Sequence, residues 1–195
     1  MIIWINGAFG SGKTQTAYEL HRKLKNSFVY DPEQVGYFLR KNMPKEIIQG
    51  DFQNQTLWRT FNYQIIKNIY EKYNGDIIIP MTINNKSYFN EIIGKLLEDN
   101  KSIDHYILGA SKETIIKRLH KRSFRKNDWA INQIDSCVNG FKELMSESIY
   151  IDTNNLNMEN VVEKIGTNSK LKLENIENNK LFDKIRRIII QIKYG

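Results

Sequence analysis

The chain has 195 residues, 41% of them hydrophobic, and a formal charge of +7. That length and apolar content suit one domain with a sizeable core and exclude a disordered tail; no run of eighteen apolar residues provides a transmembrane helix. Cys137 is the single cysteine, so an intramolecular disulfide or a cysteine metal cluster is excluded, which suits a reducing compartment.

The first element is the apolar run Met1 to Ile5, which reads as a buried strand and starts too early for a signal peptide to precede it; a cytoplasmic location is therefore expected. It breaks into Gly7, Ala8, Phe9, Gly10, Ser11, Gly12, Lys13 and Thr14, a match to G-x-x-x-x-G-K-[ST] between a strand and a helix predicted over 13–25. Such a turn directs backbone N–H groups at an anion, and the helix dipole favours phosphate there. Lys13 is expected to reach the β- and γ-phosphates of ATP, and Thr14 to place its hydroxyl on Mg2+.

Further strands are predicted at 27–30, 76–80, 103–108 and 148–151, and helices at 33–42, 56–73, 87–99, 111–122, 128–145 and 158–166. The alternation predicts an α/β fold of three layers, a five-stranded parallel sheet with helices on both faces, of the P-loop type used by nucleotide and small-molecule kinases. Residues 1–166 form this domain, with a basic lid around 117–130. The Asn-rich stretch 167–179 reads as a polar linker, and 180–195 as a basic amphipathic helix.

After the second strand, Asp31 should emerge at the carboxyl edge of the sheet, where open α/β folds bind ligands. Two roles stand side by side. Asp31 can accept the proton of a substrate hydroxyl, and Asp31, Pro32 and Gln34 also make a good helix start. Arg40 and the group Trp58, Arg59, Asn62 and Tyr63 mix aromatic and hydrogen-bonding side chains as substrate pockets do, although aromatics at helical spacing also build cores. Met81 and Thr82 end the third strand and are placed to face an acceptor. His21, His105 and His120 lack metal-ligand spacing and read as structural or surface residues.

The positive charge is local: six Lys or Arg fall between Lys117 and Lys126, and five between Lys180 and Lys193. No helix-turn-helix pair or RNP aromatic motif accompanies them, so nucleic acid is not the expected partner. Arg118 and Arg122 lie four apart on one helix face, with Arg125 and Lys126 following. Phosphoryl transfer needs positive charge on the equatorial oxygens, which a lid bearing arginines supplies, and a solvated basic face is the plainer use of the same residues. No Asn-Lys pair continues into the N-K-x-D motif of GTPases, which directs the reading to a small-molecule kinase.

In the last helix Leu181, Phe182, Ile185, Ile188, Ile189 and Ile192 fall on an arc of about 120° at 100° per residue, with Lys184, Arg186, Arg187 and Lys193 outside it. Ile190 also lies outside. This face suits packing on the sheet, a second copy in a homodimer, or an anionic membrane surface contacted from its cytoplasmic side.

The stretches "IIWINGAFGSGKTQTA", "VYDPE", "DFQ", "LWRTFNY", "IIIPMTI", "YFNEIIG", "ASKETIIKRL" and "QIDSCV" run in order over roughly residues 1–140. Together they resemble the tunicamycin-resistance protein family, small bacterial ATP-binding proteins of the P-loop kinase-like class. The resemblance implies ATP binding by Gly7 to Thr14 and a link to resistance against a nucleoside antibiotic with a fatty-acyl tail. The expected function is ATP-dependent phosphoryl transfer to a hydroxyl of a small nucleoside-like or sugar-like acceptor, with Lys13, Asp31, Arg118 and Arg122 as its catalytic set. The rival is a protein that sequesters the drug under ATP control without modifying it.

Overall fold

Five short strands carry the architecture: β1 (Ile2–Gly7), β2 (Ser27–Val29), β3 (Asp76–Pro80), β4 (Ile103–Gly109) and β5 (Ile149–Asp152). The computed structural model describes residues 1–48, 50–122, 128–176, 185–186 and 188–190, and at 122 and 128 the backbone alone. The strands pair in the order β2-β3-β1-β4-β5, all parallel, with Ile2 of central β1 opposite Ile77 on one side and Ile103 on the other. All five strands read from the sequence are present; β1 and β3 are buried and apolar nearly throughout, as strands covered on both faces must be, whereas the edge strands β2 and β5 are partly exposed.

Alternation along β1 divides the core into two layers. Ile2 and Trp4 face a layer with Leu39, Trp58, Ile66 and Phe141; Ile3 and Ile5 face a layer with Ala17, Leu20, Val162 and Ile165. Each side chain so enclosed is worth roughly 1.5–3 kcal/mol of transfer free energy. The first layer is covered by α2 (Glu33–Asn42), α3 (Thr56–Lys72), α4 (Lys86–Phe89), α5 (Lys95–Glu98), α6 (Lys112–Arg122), α7 (Asp128–Asn132) and α8 (Ile134–Leu144), the second by α1 (Lys13–Lys23) and α9 (Met158–Asn168).

The helix expected over 87–99 is one run whose middle, Asn90–Gly94, widens into a π turn. The one expected over 128–145 divides between α7 and α8 and closes in a 3-10 turn, Met145–Glu147. A 3-10 turn at Phe52–Asn54, capped by Asp51 through the Gln53 amide, was not legible as an element. α8 lies hard against the loop after β3, where a Cβ on Gly140 would collide with the Asn84 carbonyl oxygen.

The stretch read as a linker is irregular over 171–176, yet it is docked: Leu171 and Leu173 pack on the α1/α9 layer and the Glu174 amide donates to the Lys23 carbonyl (2.8 Å). Its two leucines repeat too briefly to register as a periodic pattern. In the last segment the described residues are helical, and Ile190 is the buried one whereas Ile185, Ile188 and Ile189 are exposed. Of the three uses open to the isoleucine arc, packing on the sheet does not hold for Ile185, Ile188 and Ile189; Leu181, Phe182 and Ile192 lie outside the described residues. Arg186 and Ile190 are four apart and share a face, and Arg186 approaches Glu19 of α1 (4.0 Å) from the side that turns inward. No helix among the described residues is long and apolar enough to cross a membrane.

Candidate functional site

The carboxyl ends of β1 and β3 open into a cleft of about 680 Å³, within the range of small-molecule sites. One wall is the turn from β1 to α1. Gly7, Gly10 and Gly12 all hold positive φ (150°, 83° and 101°), and a Cβ on Gly10 would lie 2.9 Å from Leu119 Cγ, so the loop rests directly on α6. Gly12 caps α1 without any side-chain hydrogen bond, and no acidic residue stands in the first turn. The start of α1 therefore carries no negative side chain to compete with a bound anion. Lys13 Nζ donates to the Ala8 carbonyl (3.2 Å) and lies 5.5 Å from the centre of the Phe9 ring. Lys13 and Thr14 both line the cleft. Ser11 Oγ is buried inside the loop with no hydrogen-bond partner among the described residues.

Asn6, fully buried, fixes this wall to the next one. Its side chain accepts from the Gly7 amide (2.8 Å) and the Ile83 amide (3.0 Å) and donates to the Ile83 carbonyl (2.7 Å), while Thr82 Oγ1 donates to the Gly7 carbonyl (2.8 Å). The phosphate loop and the loop after β3 thus move as one piece. Sequence reasoning overlooked Asn6; a polar residue ending an apolar strand was the available signal. Met81 and Thr82 do line the cleft, as expected from their place after β3.

The opposite wall belongs to α2 and the turn after it, through Glu33, Tyr37, Arg40, Asp51, Phe52 and Gln53. Asp31 behaves as a cap: Oδ1 accepts from the Glu33 amide (3.0 Å) and Oδ2 from Gln34 Nε2 (3.0 Å). It borders a recess of about 10 Å³ together with Thr14, Tyr18, Glu33 and Pro80, and does not line the main cleft. Glu33 borders both and accepts from the Tyr37 hydroxyl (3.2 Å). Burial, then the Asp31 charge, raise its pKa above the ordinary glutamate value, against the lowering pull of Lys13. The sequence stretch "VYDPE" contains Glu33, but nothing local said which carboxylate would face the cleft.

Of the five residues expected to flank the acceptor, Arg40 alone lines the cleft, donating to the Gly50 carbonyl (2.7 Å) and lying 5.3 Å from the centre of the Phe52 ring, while Asn62 is fully buried and accepts from the Tyr30 hydroxyl (2.7 Å). Trp58 is fully buried and donates to the Pro32 carbonyl (3.0 Å). Arg59 is spent on Glu91 (2.7 Å), the Gln53 carbonyl (2.5 Å) and Thr56 (3.1 Å), and so braces the turn that carries Phe52 and Gln53. Tyr63 donates to Asp99 (2.6 Å) away from the cleft. These three build the scaffold because α3 turns their side to the core and to α4 and α5.

Arg118 is likewise redirected. Ile115 and Leu119 seat α6 under Gly10, which leaves Arg118 facing β5, where it donates to Thr153 Oγ1 (3.0 Å) and to the Thr153 carbonyl (2.6 Å). Those bonds take it out of the cleft lining. The Arg122 side chain, Arg125 and Lys126 lie outside the described residues. Beyond them Trp129, 58% exposed, meets Phe9 edge-on (4.8 Å, 64°) and with Gln133 closes the third side of the cleft. Its signal in the sequence was a lone tryptophan in a charged segment. His105 is structural, hydrogen-bonded to Ser148 (2.7 Å) and Asn6 (3.2 Å), and burial pushes its pKa down to about 4. Cys137 is buried on α8, its thiol pushed up to about 11 by that burial.

A family profile described as an AAA domain matches residues 2–144. The chain belongs to that AAA-domain family. Its fold and phosphate loop agree with the P-loop kinase-like class expected from the sequence. Among solved structures, this AAA-domain chain is similar to the tunicamycin resistance protein of Deinococcus radiodurans, at 28% identity and TM-score 0.73 over 90% of this chain and 99% of that one. The resemblance carried by the quoted motifs is thereby shown. A sugar kinase from Janibacter sp. shares the fold at 17% identity and TM-score 0.61, covering 87% and 94% of the two chains. Deoxyadenosine kinase from M. mycoides, solved with dCMP and dCDP, shares it at 18% identity and TM-score 0.56, covering 87% and 99%. No curated protein sequence matches the chain.

Proposed function

We propose that this protein is an ATP-dependent phosphotransferase acting on a hydroxyl of a small nucleoside-like or sugar-like acceptor, with tunicamycin as the first compound to test. The observation that carries the reading is the convergence on one cleft of a phosphate loop, with Lys13 and Thr14, and a facing wall with Glu33, Tyr37 and Arg40. The start of α1 at a left-handed glycine, free of acidic residues, suits a phosphate chain. Thr14 lines the cleft beside Lys13, and its hydroxyl is an oxygen donor of the kind Mg2+ takes. Mg2+ would neutralise charge on the phosphate oxygens. Lys13 would hold the β- and γ-phosphates, and the aromatic rim of Phe9, Tyr37, Phe52 and Trp129 would receive the planar or apolar parts of the acceptor. Arg122, the last residue of α6, is the arginine we assign to the transferring phosphoryl group.

Incubation of protein, tunicamycin and MgATP followed by mass spectrometry of the drug tests this. A gain of one phosphate is expected. Unmodified drug held in a stable complex would instead establish sequestration.

The exposed Ile185, Ile188 and Ile189 support a second element of the reading, that the basic C-terminal segment touches an anionic membrane surface. Flotation with phosphatidylglycerol vesicles at physiological salt should carry the protein upward, and Ile188→Lys should abolish it; dimerisation lost in the same variant would assign the face to a second copy.

A further inference from the structure

We infer that Glu33, and not Asp31, is the carboxylate that takes the acceptor proton, with Tyr37 as its positioning residue; this rests on the phosphotransferase reading above. The two carboxylates stand two residues apart at the start of α2, and the fold gives them different work. Both oxygens of Asp31 are engaged by its own helix, Oδ1 by the Glu33 amide and Oδ2 by Gln34. It borders only the narrow recess beside Thr14, which has room for about one water. Asp31 thus stands behind Glu33 and Thr14, which line both the recess and the cleft.

Glu33 borders the cleft itself, on the wall facing Lys13 and Thr14. Its Oε2 accepts from Tyr37, one helical turn further along α2, and Oε1 accepts no hydrogen bond from the described residues. One oxygen is therefore oriented and the other is open to a ligand. The charged and titratable groups around it are Asp31 at the helix start, Lys13 from α1, Asp51 from the turn after α2, and Tyr37 on its own helix. Burial and the two aspartates hold its proton affinity above that of an ordinary glutamate, the direction that favours a base working near neutrality.

In the step assigned to it, the acceptor O–H bond breaks and its proton passes to Glu33. The acceptor oxygen forms the new O–P bond to the γ-phosphorus, and the bond from that phosphorus to the β-γ bridging oxygen breaks. ADP leaves with the electron pair. Glu33 then returns the proton to solvent.

The test follows the γ-phosphoryl group of radiolabelled ATP into tunicamycin, a panel of nucleosides and water, for wild type, Glu33→Gln, Glu33→Asp and Asp31→Asn. Glutamine keeps an acceptor for Tyr37 and asparagine keeps a capping oxygen, so both variants should fold. Glu33→Gln is expected to lower kcat by about 10²–10⁴-fold and Asp31→Asn by at least tenfold less. ADP affinity of Glu33→Gln should stay close to wild type, Glu33→Asp should recover part of the rate, and the acid limb of the kcat profile seen in wild type should vanish in Glu33→Gln. An active wild type with an equally active Glu33→Gln overturns the assignment alone, as does a larger loss in Asp31→Asn. A wild type that binds ATP and transfers phosphate to none of these acceptors, water included, overturns the phosphotransferase reading and the assignment with it.

Discussion

The starts of α1 and α2 lie on opposite sides of one cleft and are built in opposite ways. α1 begins at a left-handed glycine, with no side-chain cap and no acid in its first turn. α2 begins with an aspartate that caps its amide, and Glu33 stands in its first turn. The helix dipole is the same in both, so the difference is one of chemistry laid over identical backbone electrostatics. Left unsatisfied, a helix start attracts an anion; satisfied from within and given an extra carboxylate, it becomes a source of negative charge. Between the two, a phosphate donor and a proton acceptor can be held apart by the width of one small molecule.

The largest effect should come from breaking the receptor side. Lys13→Ala removes the one cationic side chain of the phosphate loop, and phosphoryl transfer should fall by about 10²-fold or more, with weaker ADP binding in a titration of the same protein. A variant with full activity would show that the loop amides suffice and that the contrast between the helices is irrelevant to catalysis.

Thermal melts sharpen the other side, and the two carboxylates should move stability in opposite directions. Asp31→Ala removes the cap and should cost about 1 kcal/mol. Glu33→Gln should have a smaller effect of opposite sign. The pKa of Glu33 is raised in the folded chain, so the fold favours its protonated form: the contribution is fully present below the unfolded value of about 4.3 and is lost as pH rises through the folded one. At pH 7 the ionised side chain is therefore a burden that glutamine does not carry. The variant should melt above wild type at neutral pH, with the gap closing towards pH 4. A residue retained at a cost in stability is what a working base looks like; equal melting curves at pH 7 would remove that argument.

Much of the fold was legible because its signals are local. Met1 to Ile5 is apolar at every position, as a central parallel strand must be, and Gly7 to Thr14 is a complete motif whose mechanism needs only neighbouring residues. The cap at Asp31 was legible for the same reason. What the candidate site needed from afar was not. The direction taken by Trp58, Arg59 and Tyr63 depends on which side of α3 meets the sheet, and a pattern mixing aromatic, charged and amide residues leaves that side undecided. Arg118 and Arg122 share a face in any helix, yet Arg118 is pulled to Thr153, thirty-five residues later, through contacts no spacing rule contains. Trp129 and Phe9, one hundred and twenty residues apart, meet only because α7 folds back over the loop.

The sequence by itself determined the strand order of events at the N-terminus: a buried strand, a glycine turn in conformations that side chains resist, and a helix start stripped of acids, all within fourteen residues and enforced by sterics and the peptide dipole. Tertiary structure decided which carboxylate faces the cleft, which arginines reach it, and which side of the last helix turns inward. Those are choices between faces of elements already formed, and they are set by the packing of distant partners, as where Ile190 is buried on the side from which Arg186 approaches Glu19 and the isoleucines beside it are exposed.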